Sequence, residues 1–95
     1  MSDTIQITLE YWGQLREAAG ISTEQMTAPA GVTLAELLLQ LAQRGGRLRT
    51  VLLNGQGKPR ASNMILLDNR LIRDLGTERL VDRQTVMLVA PVGGG

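Results

Sequence analysis

The chain has 95 residues, the length of one domain with a single, shallow core. Hydrophobic residues make up 43% and charged residues 20%, as in an ordinary globular protein, and the net charge of +1 gives no broad field for drawing in nucleic acid or an anionic membrane. Cys and His are absent, which excludes thiol and imidazole nucleophiles, Cys/His zinc sites and disulfides.

The nine acids are scattered one by one, with no paired or metal-ligand spacing. No metal site is therefore expected, and a free-standing catalyst is disfavoured. The absence of Cys fits a reducing cytoplasm. Met1 to Thr4 shows no basic run followed by an apolar stretch, so no signal peptide is expected. No apolar run reaches the roughly 18 residues a membrane span needs. Tyr11 and Trp12 are the only aromatics, so the core must be built from Leu, Ile, Val and Met.

Thr4 to Tyr11 alternates, with Ile5, Ile7, Leu9 and Tyr11 on one side, and predicts a half-buried strand. Trp12 to Ala19 reads as a short helix with Leu15, Ala18 and Ala19 inward and Gly20 as its stop. Ser22 to Ala28 is a second strand around Met26, and Pro29-Ala30-Gly31 a loop. Thr33 and Glu36 form a T-x-x-E capping box. Leu34, Leu37, Leu38 and Leu41 then recur at helical spacing, Leu39 falls off the stripe, and Gly45-Gly46 end the helix. Arg47 to Leu53 predicts a helical turn with Leu48, Val51 and Leu52 inward. Asn54 to Ser62 is a loop by composition.

Asn63 to Leu67 is a strand, Asp68-Asn69 a turn, and Leu71-Ile72 a short return. Gly76 to Gln84 is an irregular crossing with Leu80 and Val81 touching the core. Val86 to Ala90 is the last strand. The whole predicts one main helix on a four- to five-stranded mixed sheet, α+β in class. The first and last strands make a central parallel pair whose crossover is the intervening chain. Residues 1–90 form the domain, and 91–95 an extended, flexible tail.

That tail is Pro91-Val92-Gly93-Gly94-Gly95. Pro91 ends the strand because it cannot donate a ladder hydrogen bond. Glycines without side chains can enter a narrow channel and bring backbone close to another protein's active site. Extended, the five residues span about 17 Å. A frayed or engineered end is the plain alternative.

The ending Pro91-Val92-Gly93-Gly94-Gly95 resembles the P-V-x-G-G terminus of β-grasp (ubiquitin-like) sulfur carriers, closest to the small subunit of molybdopterin synthase. Leu15-Arg16-Glu17-Ala18-Ala19-Gly20 is similar to that family's L-R-E-x-x-G helix. Thr33 to Leu38 stands where the family has V-x-x-L-L, and Ile65 to Arg73 where it has V-x-V-N-G-x-x-V. The sequence departs at Asp68-Asn69, where Asn-Gly is usual, and at Asp82-Arg83-Gln84, where D-G-D is usual.

The resemblance implies a mechanism. A ubiquitin-activating-like adenylyltransferase uses ATP to adenylate the carboxylate of Gly95. A sulfur donor displaces AMP to leave a thiocarboxylate. A sulfur-accepting synthase, the large subunit, then receives the sulfur in molybdopterin-like or related cofactor biosynthesis. The chain binds no cofactor itself and acts as a protein cosubstrate or small subunit.

Gly95 and Gly94 are thus the expected reaction site, and Pro91, Val92 and Gly93 the expected lead-in. Continuing the strand alternation through Trp12 puts its side chain with Thr8 and Glu10, away from the core. In the resembling family that position contacts the partner enzyme; core filler is the competing reading. Met87 and Val89 point opposite to Val86 and Leu88, so Trp12, Met87 and Val89 are expected to form an apolar docking patch beside the tail. Arg16 is either a rim contact or a solvated helix residue.

Arg44, Arg47, Arg49, Lys58 and Arg60 lack interleaved aromatics and read as solvated surface. Gly55-Gln56-Gly57-Lys58-Pro59 lacks the spacing of a phosphate loop. A ubiquitin-like modifier joined to lysines through Gly95 shares the activation step and stays open beside the carrier. So does a β-grasp interaction module with an inert tail.

Overall fold

The structure is a computed structural model and describes residues 3–91. The alternating apolar residues make β1 (Thr4–Gly13), with Ile5, Ile7, Leu9 and Tyr11 buried. β1 runs past the expected end at Tyr11. Trp12, expected to open the short helix, is a strand residue instead, because Trp12 and Gly13 pair with Val89 and Ala90 of the distant last strand. The helix α1 (Gln14–Ala19) buries Leu15. Gly20 closes it at φ 77°, donating its N–H to the Arg16 carbonyl at 3.0 Å, a conformation that glycine adopts without a Cβ penalty.

β2 (Thr23–Pro29) lies antiparallel to β1 and buries Met26 and Ala28. Pro29, expected in the loop, is the last strand residue. β2 is one of the two edge strands, where a proline is tolerated because one side of the strand makes no ladder bonds.

α2 (Leu34–Ala42) begins at the expected capping box. Glu36 N–H donates to Thr33 Oγ1 at 3.2 Å, and Thr33 N–H to Glu36 Oε1 at 2.9 Å. Leu34, Leu37, Leu38 and Leu41 are buried, and Leu39 is exposed. The helix ends at Ala42, ahead of the glycines expected to stop it. Gly45 and Gly46, at φ 74° and 59°, instead redirect the chain, and Gly46 is the first residue of α3 (Gly46–Leu52). α3 buries Leu48 and Leu52, with Val51 packed against the core.

β3 (Met64–Leu67) and β4 (Arg70–Leu71) form a hairpin. Its two turn residues, Asp68 (φ 48°) and Asn69 (φ 70°), both take the left-handed conformation that two-residue hairpin loops favour. In the crossing that follows, Leu80 is buried as expected, but Val81 is 60% exposed. Leu80 N–H bonds to the Val32 carbonyl at 2.9 Å and sits inward, while Val81 N–H bonds to Gln84 Oε1 at 2.8 Å in a surface turn. Adjacent residues of extended chain point opposite ways, so only one of the pair reaches the core.

β5 (Thr85–Ala90) completes a five-stranded sheet in the order β2-β1-β5-β3-β4. β1 and β5 are parallel neighbours at its centre, and the other pairings are antiparallel. One face of the sheet carries Ile5, Ile7, Leu9, Tyr11, Ile65, Leu67, Val86 and Leu88 into a single core with the leucines of α2 and α3. Among the described residues no helix is long and apolar enough to cross a membrane.

Candidate functional site

Among the described residues no helix covers the other face of the sheet, and strand register determines which side chains meet there. Trp12 of β1 is opposite Val89 of β5, and Val89 is opposite Met64 of β3. One step along, Glu10 is opposite Met87, Met87 opposite Leu66, and Leu66 opposite Leu71 of β4. Paired residues share a face, so these form two adjacent rows. Trp12 is 49% exposed, Met64 48% and Leu71 43%, while Met87, Val89 and Leu66 are half-buried. Toward the β2 edge the same face turns polar, with Thr23 opposite Glu10 and Gln25 opposite Thr8. The result is an apolar patch with a polar border, at the end of the sheet where β5 leads into Pro91.

On the core side of the strand that carries Trp12, side chains are tied by hydrogen bonds. Its neighbour Tyr11 is buried, and the Tyr11 hydroxyl donates to Glu24 Oε2 at 2.6 Å. Arg44 of the segment after α2 clasps the same carboxylate through two nitrogens, at 2.7 and 2.8 Å. Burial, and next the hydrogen bond to Glu24, push the Tyr11 hydroxyl well above the usual phenol range. Arg44's hydrogen bonds hold the Glu24 carboxyl below the usual carboxylate range. This chain ties β1, β2 and the segment after α2 together.

The expected site residues are thus partly brought together. Trp12, Met87 and Val89 share one face. Arg16 is exposed on α1 and joins Trp12 in lining a hollow of about 400 Å³, with Glu10, Tyr11, Ser22 and Thr23. Pro91 is exposed at the end of β5 and lines a second hollow of about 510 Å³ with Gln14, Thr50, Arg60, Ser62 and Asn63. Val92, Gly93, Gly94 and Gly95 lie outside the described residues. Sequence reasoning missed Met64, Leu66 and Leu71. Alternation already set Met64 and Leu66 opposite to Ile65 and Leu67, but nothing in the sequence said that β3 lies beside β5. Among the described residues no acidic cluster is close enough to hold a metal ion.

The ThiS family model matches residues 9–95 of the chain. No curated protein matches it in sequence. The crystal structure of SAMP1 from Haloferax volcanii is similar with a TM-score of 0.83 at 21% identity, covering 95% of this chain and 99% of that one. The solution structure of small archaeal modifier protein 1 from Methanosarcina acetivorans has a TM-score of 0.79 at 25% identity, covering 99% and 100%. The complex of subunits 1 and 2 of the molybdopterin-converting factor from Helicobacter pylori contains a chain with a TM-score of 0.59 at 25% identity, covering 96% and 100%. The fold is β-grasp, as the motifs led one to expect.

Proposed function

The chain belongs to the ThiS family, and from that premise we propose that it is a ubiquitin-like sulfur carrier whose C-terminal Gly95 is the reacting group. The observation that carries this reading is the apolar row Trp12–Val89–Met64 on the uncovered face, at the end of the sheet from which Pro91 leads to the glycines. A partner seated there by burying Trp12 receives the tail in the same encounter.

The chemistry follows from what the chain lacks. A carboxylate is a poor electrophile until its oxygen is made a leaving group, and a chain without Cys or His offers neither a thiol nor an imidazole to assist that chemistry. The activating groups belong to a partner, an adenylyltransferase of the ubiquitin-activating kind. It joins the Gly95 carboxylate to AMP from ATP with release of pyrophosphate. Sulfur delivered at the oxidation level of sulfide then displaces AMP, leaving a thiocarboxylate. Sulfur passes from this group to a substrate held by a second partner, a synthase large subunit. The two-subunit Helicobacter pylori complex supports such a partner. A molybdopterin-type pathway in the cytoplasm is the setting proposed, with ATP consumed by the partner and no cofactor held by this chain.

A second reading has its own support: a structure similar over essentially the whole chain is that of a small archaeal modifier protein. In that role Gly95 would form an amide bond to a lysine of another protein. Mass spectrometry of the protein from its native host tests both. Exchange of one terminal oxygen for sulfur is the carrier's signature, and Gly95 linked to a lysine side chain is the modifier's. An unmodified terminus under every growth condition would count against both.

A further inference from the structure

We propose that Arg60 is a docking cation beside the root of the tail, and that the protein surface receiving the tail carries a carboxylate facing it. This rests on the reading of Gly95 as a group activated by a partner, and it adds the chemistry of that partner's surface.

Arg60 lies in the loop after α3 and is fixed at three points. Its backbone N–H donates to the Leu52 carbonyl at 3.0 Å, its carbonyl accepts from Asn63 N–H at 3.2 Å, and its side-chain Nε donates to the Thr50 carbonyl at 2.8 Å. The two terminal nitrogens of the guanidinium make no hydrogen bond or ion pair among the described residues. The open end of the fork is thus presented by a side chain already held in position, the arrangement that loses least freedom on binding a carboxylate. Asn63, beside it, is fixed in the same way, its Nδ2 donating to the Val51 carbonyl at 2.8 Å.

Arg60 and Pro91 line the same hollow of about 510 Å³, and no acid lines that hollow. The adjoining hollow, lined by Arg49, Asn54 and Arg60, has none either. Arg16 lines the hollow beside Trp12. Arg16, Arg49 and Arg60 take part in none of the ion pairs of the described residues.

At the opposite end of β1 and β5 two carboxylates accept backbone hydrogen bonds, and one of them, Asp82, also pairs with Arg83 Nε at 3.8 Å. Asp82 Oδ1 accepts from Gln6 N–H at 2.7 Å, and Asp68 Oδ1 from Thr85 N–H at 2.9 Å. Arg16, Arg49 and Arg60 thus stand near the end from which the tail leaves without an ion pair among the described residues. Cations free of ion pairs beside the root of the tail favour the approach of an acidic surface there. An apolar row with an arginine near its border is the make-up of a protein interface. A nucleic acid would want a longer cationic track with stacking aromatics.

Two measurements test the assignment. In the first, a hexaglutamate peptide is titrated into isotope-labelled protein. The amide resonances of Gln14, Thr50, Arg60 and Asn63 should move, and Arg60→Gln should abolish the response while Arg83→Gln, at the opposite end of the sheet, keeps it. Shifts spread evenly over the molecule, or equal in the two variants, would overturn the proposal. In the second, association with the host adenylyltransferase is followed by stopped flow at low and high salt. Arg60→Glu should slow association about tenfold at low salt and less at high salt, with Arg83→Gln no slower than wild type. Unchanged association by Arg60→Glu would overturn it. Thermal melts confirm that the variants are folded. Absence of ATP–pyrophosphate exchange with wild-type protein would instead refute activation of Gly95, and the placement of Arg60 would then be decided by the peptide titration.

Discussion

Trp12 and Val89 face each other across the parallel β1–β5 pair, on the side of the sheet that the helices leave open. Their neighbours Tyr11 and Leu88 are likewise opposite one another and lie in the core. Two adjacent rungs of one ladder thus divide the work, one holding the domain together and the other meeting the outside.

That division predicts how Trp12 variants behave. Trp12→Ala should weaken partner binding by about 2 kcal/mol or more, the loss expected for a buried aromatic anchor. Its thermal midpoint should shift little, since half of the side chain already faces water. Calorimetric titration against the partner, alongside thermal melts, checks both halves. A cooperative loss of folding with no separate effect on binding would make Trp12 a core residue after all. Met64→Asp should weaken binding in the same way, because Met64 extends the row that Trp12 begins.

The tail should behave in the opposite sense to the core. Deleting Gly95, or replacing Gly94 by a bulky residue, should abolish ATP–pyrophosphate exchange with the activating enzyme and leave the melting curve unchanged. The reason is steric: a Cβ at position 94 would meet the walls of a channel narrow enough to exclude water. Full exchange by the Gly95 deletion would leave only the reading of an inert tail on an interaction module.

In the core, Leu38→Ala should cost roughly 2–5 kcal/mol. Leu38 is 1% exposed between α2 and the sheet, and the surrounding leucines cannot fill the space it leaves. Chemical denaturation measures this directly.

The Tyr11–Glu24–Arg44 chain gives a pH dependence with a sign at each end. The folded state holds the Glu24 carboxyl low, so its contribution is present above the unfolded value near 4.3 and is lost as pH falls through the folded value. Tyr11 is held high, so the folded state keeps its proton while the unfolded chain releases one above about pH 10, and stability falls as pH rises past that point. Tyr11→Phe should remove the alkaline loss and cost about 1 kcal/mol at neutral pH, since Arg44 still satisfies Glu24. Denaturation midpoints across the pH range, compared between wild type and Tyr11→Phe, decide it.

Arg83 occupies the left-handed region at φ 72°, in a turn where its N–H bonds to the Gln6 carbonyl at 2.8 Å. The related motif has glycine there. Arg83→Gly should stabilise the domain by about 0.5–1 kcal/mol, the relief of the left-handed conformation less the greater freedom of glycine in the unfolded chain. An unchanged or lower melting temperature would show that the arginine side chain contributes more than the strain takes away.

What the sequence determined by itself were the features written in neighbouring residues. The alternation from Ile5 to Tyr11, the Thr33–Glu36 capping box and the leucine stripe of α2 are each local, because a strand or helix period and a cap are set within a few positions. The absence of Cys and His narrowed the chemistry before any contact was known, and the terminal glycines directed attention to Gly95. Only the tertiary structure decided what depends on partners far apart in the chain. Trp12 joined β1 because Val89 was there to pair with it, and Val81 was turned outward because the Val32 carbonyl took the N–H of Leu80. Met64, Leu66 and Leu71 joined the uncovered apolar face because β3 lies against β5, and Arg60 came to the root of the tail because the loop after α3 folds back beside Pro91. Side-chain direction follows from local period, but which side chains become neighbours follows from strand order and loop closure, which local residue patterns do not specify.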